Sequence, residues 1–159
     1  MIGYRKTDAE GAFGVRNREM RHLHMKIVVI DGQGGGIGKA LVAGIKAECR
    51  NAQITAIGTN SVSTLAMQKA GADKAATGEN AVVVACRTAD IIAGPVGIVV
   101  ADALIGEVTP KMAAAVGSSS AKKVLIPVNM CDTFVVGVND TAVSNLVQLA
   151  VARVIREIE

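Results

Sequence analysis

The feature that most constrains the fold of this chain is an alternation of short β-branched runs with longer segments of helical period. Lys26–Asp31 is the first such run, and over Gly36–Arg50 apolar side chains then recur every four residues. Continuous apolar runs are typical of parallel strands covered on both faces, and each parallel pair needs a crossover, usually a helix. The alternation therefore predicts a three-layer α/β fold, with a mainly parallel sheet and helices on both faces.

The same pattern sets the remaining elements. Strands are predicted at Lys26–Asp31, Gln53–Gly58, one short stretch within Ala72–Gly78, Asp90–Ala93, Lys123–Val128 and Thr133–Val138. Helices are predicted at Gly36–Arg50, Ser61–Ala70, Glu79–Arg87, Val96–Ile105, Thr109–Gly117 and from about Thr141 to the end. The predicted strand order begins 3-2-1-4-5, with a ligand across the carboxyl edge between strands one and four.

Residues 1–24 lack this pattern. They show no apolar periodicity and contain scattered glycines, so they are predicted to form a flexible N-terminal extension. Their His22 and His24 are too weak a motif to indicate a metal site, and no metal is predicted. Residues 25–159 are predicted to form a single domain.

Composition excludes several classes of function. The 17 basic and 14 acidic residues give a net charge of only +3, and the chain has one Tyr, two Phe and no Trp. Nucleic-acid binding is not predicted, because it needs a basic face and usually stacking aromatics. Three cysteines without a C-x-x-C motif favour the reducing cytoplasm. The longest apolar run, Ile91–Ala101, is far short of the roughly 20 residues of a membrane span, so no membrane association is predicted.

The loop between the first predicted strand and helix is the most informative segment. Glycines there expose main-chain N–H groups, permit close approach of a ligand and precede a helix N-terminus, whose partial positive charge favours phosphate. The alternative is a tight strand-to-helix turn, but such a turn needs only one or two glycines. Phosphate binding is therefore predicted for Gly32, Gln33, Gly34, Gly35, Gly36, Ile37 and Gly38.

The spacing G-x-x-x-G-I-G from Gly32 to Gly38 resembles the cofactor loop of short-chain dehydrogenases. That resemblance implies a nicotinamide cofactor, NAD or NADP. The catalytic Tyr and Lys of those enzymes have no counterpart, since the only tyrosine is Tyr4. A Walker loop is incomplete as well, because Ala40 follows Lys39 where a magnesium-binding hydroxyl residue is needed.

The second predicted strand is followed by polar residues and not by the acidic residue that usually holds a ribose diol. Thr59, Asn60 and Ser61 offer hydroxyl and amide groups instead. They are predicted to bind a ribose or a 2′-phosphate. Capping of the next helix is an alternative of equal weight.

Two later segments are predicted to reach the same edge of the sheet. The first of them would place main-chain groups without bulky side chains next to a ligand, at Gly94, Pro95 and Gly97. The alternative is an ordinary turn, because Gly-Pro pairs are common in turns. Asn129 and Cys131 would add an amide and a thiol. A nucleophilic cysteine needs a basic partner, and the sequence supplies none outside the N-terminal extension, so no catalytic residue is assigned.

Four segments together resemble a small bacterial family of uncharacterised Rossmann-like proteins. They are IDGQGGGIGK at residues 30–39, AIGTNS at 56–61, ATGENA at 76–81 and GPVGIVV at 94–100. The resemblance covers about residues 25–138. It implies a Rossmann-like fold and a nucleotide site, and it implies no activity.

These observations favour a small-molecule nucleotide, with NAD or NADP the first candidate, bound by a protein that senses or presents it. One alternative is an oxidoreductase whose acid–base groups come from Asp102, Asn129 or a partner subunit; Asp31 more readily caps the loop N–H groups. A second alternative is a non-catalytic assembly module. The predicted helix Val96–Ile105 has almost no polar face, which predicts a homodimer or homotetramer.

Overall fold

The computed structural model describes residues 25–128, 133–138 and 141–159. The strands within them are β1 Lys26–Asp31, β2 Gln53–Gly58, β3 Lys74–Thr77, β4 Ile91–Pro95 and β5 Lys122–Ile126. The α-helices are α1 Gly36–Glu48, α2 Ser61–Lys69, α3 Glu79–Cys86, α4 Pro110–Ser118 and α5 Val143–Ile158. The predicted extension at 1–24 and the candidates Asn129 and Cys131 lie outside the described residues.

The sheet formed by the described residues is entirely parallel, in the order β3-β2-β1-β4-β5. This confirms the predicted strand order. The central strand β1 pairs with β2 as far as Asp31 opposite Gly58, and with β4 as far as Val29 opposite Ala93. The chain passes from β1 to β2 on one side and later returns to β4 on the other. Ligands of open α/β sheets bind where the order reverses in this way, beyond the carboxyl ends of the strands.

Each face of the sheet has its own apolar core. Alternate residues of β1 point to opposite faces, so Ile27 and Val29 pack with α1, α2 and α5, whereas Val28 and Ile30 pack with α3 and α4. All four side chains are at most 3% exposed. The three-layer α/β fold is thereby confirmed. None of the helices in the described part of the chain has both the length and the apolar character that crossing a bilayer requires.

The predicted helix over Val96–Ile105 is wrong. A 3-10 helix occupies only Val96–Val99, and a series of turns follows over residues 101–107. Asp102, Leu104 and Ile105 have positive φ angles of 62°, 56° and 58°, which an α-helix does not allow. The run is apolar because Ile98 and Leu104 are buried over the sheet, with 1% and 2% exposure. We call residues 101–108 the covering loop.

The predicted strand over Thr133–Val138 is also wrong. Thr133 forms an isolated bridge, and a turn follows at residues 136–137, where Gly137 has a φ of 89°. Phe134 and Val136 are 78% and 99% exposed, so this apolar run covers no core within the described residues. The other predicted elements are present. β1 and β2 have the predicted ends, β3 lies within the predicted stretch, and the ends of the rest differ by at most two residues.

Candidate functional site

The glycine loop makes a tight connection between β1 and α1. The Gly35 N–H donates to the Gly32 carbonyl at 2.9 Å, and Gly35 itself is left-handed, with φ 71° and ψ 19°. The helix begins at Gly36 with no side-chain cap at Gly35. Its first N–H groups therefore depend on other acceptors.

Asp31 supplies one such acceptor from the end of β1. Its carboxylate is buried, and it accepts hydrogen bonds from the Gly32 N–H at 2.8 Å and from the Gly38 N–H at 2.7 Å. Burial raises the pKa of the Asp31 carboxyl, and the hydrogen bonds from Gly38 and Gly32 lower it without offsetting the burial. Since both oxygens hold the loop, Asp31 has the predicted capping role and is poorly placed for acid–base chemistry.

Three glycines of the loop are explained by the fold itself. A Cβ on Gly32 would lie 2.6 Å from Leu104 Cδ1, and a Cβ on Gly38 would lie 2.5 Å from Met67 Sδ. Real Cβ atoms do not approach so closely. Gly35 needs its positive φ, which favours a residue without a Cβ.

Gly34 and Gly36 are different. A Cβ on either would meet no atom within 4 Å, and neither has a positive φ. Both residues are exposed, and their N–H groups have no acceptor in the part of the chain that the structure describes. Neither packing nor backbone conformation therefore accounts for the absence of a side chain at these two positions.

The polar residues after β2 lie against this loop. The Asn60 side chain caps α2 by accepting from the Ser63 N–H at 2.9 Å, and it also donates to the Gln33 carbonyl at 2.9 Å. The capping alternative is therefore correct for Asn60, and the same side chain joins β2 to the glycine loop. Thr59 lies beside Gly32, whereas Ser61 is exposed at the first position of α2.

Glu107 is a site residue that the sequence did not predict. Its Oε2 accepts three hydrogen bonds, from the Gln33 N–H at 2.8 Å, the Thr59 hydroxyl at 2.5 Å and the Asn60 amide at 2.9 Å. Burial raises the pKa of the Glu107 carboxyl, but these hydrogen bonds outweigh it and hold that pKa below its ordinary value. Glu107 is 74 residues from Gln33 in the chain, so no local pattern indicates the contact.

Packing explains the glycines in and after β4 that the sequence predicts to contact a ligand. Gly94 and Pro95 are buried inside the strand, and a Cβ on Gly94 would collide with the Ile30 carbonyl oxygen. Gly97 faces the covering loop, where its Cβ would lie 3.4 Å from Ala103 Cβ. Close packing against Ile30 and against the covering loop therefore explains Gly94 and Gly97 without a ligand.

The described residues contain few side chains that could act as an acid, a base, a nucleophile or a metal ligand. Asp102 is exposed in the covering loop. Cys49 is half-buried and Cys86 buried, both as free thiols, and burial raises the pKa of Cys86, which suits an inert core residue. No group of three or more His, Cys, Asp or Glu side chains within the described ranges could hold a metal ion.

Comparison with known proteins gives a family and no activity. No curated protein and no solved structure matches this chain. A family model described as a domain of unknown function, DUF3842, matches residues 26–159. Because this match spans most of the sequence, the chain belongs to the DUF3842 family.

Proposed function

We propose that this protein binds a nucleotide beyond the carboxyl end of the central strand β1, with NAD or NADP as the first candidates. The glycine loop is the phosphate-binding element of this proposal. Its exposed residues are Gln33, Gly34 and Gly36, and the same stretch includes Gly35 and Ile37. We assign the ribose to the side of Thr59, Asn60 and Ser61.

The proposal rests mainly on the exposed main chain at Gly34 and Gly36. Their N–H groups lack acceptors in the described residues, and no packing or backbone constraint explains a glycine at either position. Close approach of a ligand does explain both facts, because a Cβ would take up the space next to the N–H groups. Anionic oxygen is the ligand that such groups prefer at a helix N-terminus.

The position of the pair in the fold supports the same ligand class. It lies beyond the carboxyl end of β1, next to the reversal in strand order where α/β sheets bind nucleotides. Asp31 does not compete for these two donors, since its oxygens accept from Gly32 and Gly38. The N–H groups of Gly34 and Gly36 therefore stay available while the loop is held in place from beneath.

Isothermal titration calorimetry with NAD, NADP, ATP and ADP tests the proposal. We expect saturable binding of at least one of them, weakened about tenfold or more by Gly34→Ala or Gly36→Ala, a loss of about 1.4 kcal/mol. Gly117→Ala in α4 is the matched control, because its Cβ would also meet no atom within 4 Å and it lies outside the proposed site. No heat with any of the four nucleotides would overturn the proposal.

The role that fits this binding site is sensing or presenting a nucleotide. In the described residues, the two candidate acid–base carboxylates are Asp31, which is engaged with the loop, and Asp102, which is exposed. An oxidoreductase remains the rival. Substrate-dependent change in nicotinamide absorbance, abolished by Asp102→Asn without loss of cofactor binding, would favour that rival.

Two further predictions belong to this proposal. We place the protein in the cytoplasm, which the free thiols of Cys49 and Cys86 support. We also expect a homo-oligomer. The apolar helix predicted at Val96–Ile105 is not formed, so it gives no support to this expectation. Exposed apolar side chains on α5 do support it, since Val143 and Leu149 are 46% and 66% exposed.

A further inference from the structure

From the position of Glu107 we infer that its carboxylate accepts hydrogen bonds from the hydroxyls of the adenosine ribose and selects a ribose without a 2′-phosphate, hence NAD over NADP. This inference rests on the proposed nucleotide site and specifies its ligand. In many dinucleotide-binding folds an acidic residue at the end of the second strand has this task. Here Thr59 and Asn60 occupy that strand end, and the covering loop brings Glu107 to them.

The hydrogen bonding of Glu107 leaves one oxygen for a ligand. Oε2 accepts from Gln33, Thr59 and Asn60, whereas Oε1 has no donor among the described residues. A carboxylate fixed through one oxygen is an oriented acceptor on the other. Glu107 takes the Gln33 N–H and leaves those of Gly34 and Gly36, so it occupies a place next to the phosphate donors and does not block them.

The covering loop holds this carboxylate firmly. Its backbone closes on itself, with the Asp102 N–H donating to the Val108 carbonyl at 2.8 Å and the Val108 N–H to the Ala103 carbonyl at 3.1 Å. Leu104 and Val108 anchor it to the core with 2% and 1% exposure. Glu107 is therefore positioned before any ligand arrives, which reduces the entropy lost on binding.

The charge at this place sets the specificity. No Lys or Arg forms an ion pair with Glu107 within the described chain. Asp31 lies close enough that the negative charge of Glu107 contributes to raising its pKa. A neutral pair of ribose hydroxyls can donate to such a carboxylate, whereas a 2′-phosphate would add a charge of the same sign.

Calorimetric titration of wild type and Glu107→Gln with NAD and NADP tests the inference. Wild type should bind NAD at least about tenfold more tightly than NADP, and the variant should lose most of that preference, mainly through weaker NAD binding. Glu48→Gln is the matched control, because Glu48 is exposed at the far end of α1 and makes the same change of charge. Circular dichroism verifies that each variant is folded.

Removing a ribose hydroxyl from the ligand tests the role of Glu107 in the wild-type protein. Wild type should bind ADP at least about tenfold more tightly than 2′-deoxy-ADP, since the deoxy ligand lacks a donor to Glu107. An unchanged NAD to NADP ratio in Glu107→Gln, or equal binding of the two ADP ligands, would overturn the role of Glu107 while leaving nucleotide binding intact. Tighter binding of both cofactors by Glu107→Gln would also overturn it, because the carboxylate would then be a competitor of the ligand. Absence of binding to all ligands by wild type would overturn the proposed function, and this inference with it.

Discussion

At the scale of single residues, two carboxylates organise the candidate site from opposite sides. Asp31 holds the glycine loop from the buried side, and Glu107 holds Gln33 and the end of β2 from the exposed side. The role of Asp31 could be predicted, because it precedes the loop directly. The role of Glu107 could not, since it depends on a turn of three positive-φ residues, Asp102, Leu104 and Ile105, that has no local sequence signature.

Asp31→Asn should destabilise the fold. The amide oxygen can accept from only one of the Gly32 and Gly38 N–H groups, and the amide nitrogen then opposes the other donor. We expect a loss of about 1–3 kcal/mol in the free energy of unfolding, measured by urea denaturation. Asp102→Asn, at an exposed position where Asn tolerates a positive φ, should change it by less than about 0.5 kcal/mol. Equal effects of the two substitutions would contradict the role of Asp31.

The free energy of unfolding should depend on pH through the ionisation of Glu107. Its pKa in the folded protein lies below the ordinary value of 4.5, so the unfolded chain binds more protons between these two values. The stabilisation by Glu107 is therefore complete above about pH 4.5 and lost as the pH falls through the lowered pKa. The stability difference between wild type and Glu107→Gln should be about 1 kcal/mol at pH 7 and shrink in acid. A difference that stays constant from pH 7 to pH 3 would contradict this.

At the scale of elements, the junction of β1 and α1 contains two kinds of glycine. Some are required by packing or by backbone conformation, and the others have no structural explanation in the fold. Gly38→Ala should cost about 1–3 kcal/mol, because its Cβ would lie 2.5 Å from Met67 Sδ and 2.8 Å from Asp31 Cβ. Gly36→Ala should leave stability unchanged or raise it by up to about 1 kcal/mol, since its Cβ meets open space and Ala favours helices. Thermal and urea unfolding of the pair measure this contrast. A similar loss in both variants would mean that the fold requires Gly36 as well.

The covering loop shows where prediction of elements fails. An apolar run of this length fits a buried helix and a buried irregular segment equally well by periodicity. The carboxyl edge of β1 and β4 needs a cover, and Ile98 and Leu104 provide it from a series of turns. By contrast, the helix predicted at Glu79–Arg87 is present as α3 despite its three valines, and Val82 and Cys86 lie one turn apart on its buried face.

At the scale of the whole molecule, strand order and layers could be predicted because both follow from patterns repeated along the chain. Every described strand is followed or preceded by a helix that buries one face on the sheet, so no single misassigned segment changes the topology. The site could be predicted only in part. Its loop is local in sequence, whereas its second carboxylate arrives from a distant segment whose path is set by packing.

Self-association is a prediction about the molecule as a whole. Apolar side chains that remain exposed on α2 and α5, such as Leu65 and Leu149, favour contact between copies of the chain. Light scattering at micromolar concentration should give the mass of a dimer or a tetramer. The mass of a single chain would contradict the prediction without affecting the proposed nucleotide site.

We expect the N–H groups of Gly34 and Gly36 to bind the anionic oxygen of a nucleotide. Amide chemical shifts of ¹⁵N-labelled protein, followed by NMR during titration with NAD, NADP, ADP and ATP, test it at those two atoms. With at least one of these ligands, the Gly34 and Gly36 signals should move saturably while that of Gly117 in α4 stays in place. Signals of Gly34 and Gly36 that do not move at millimolar concentrations of any of the four nucleotides would contradict it.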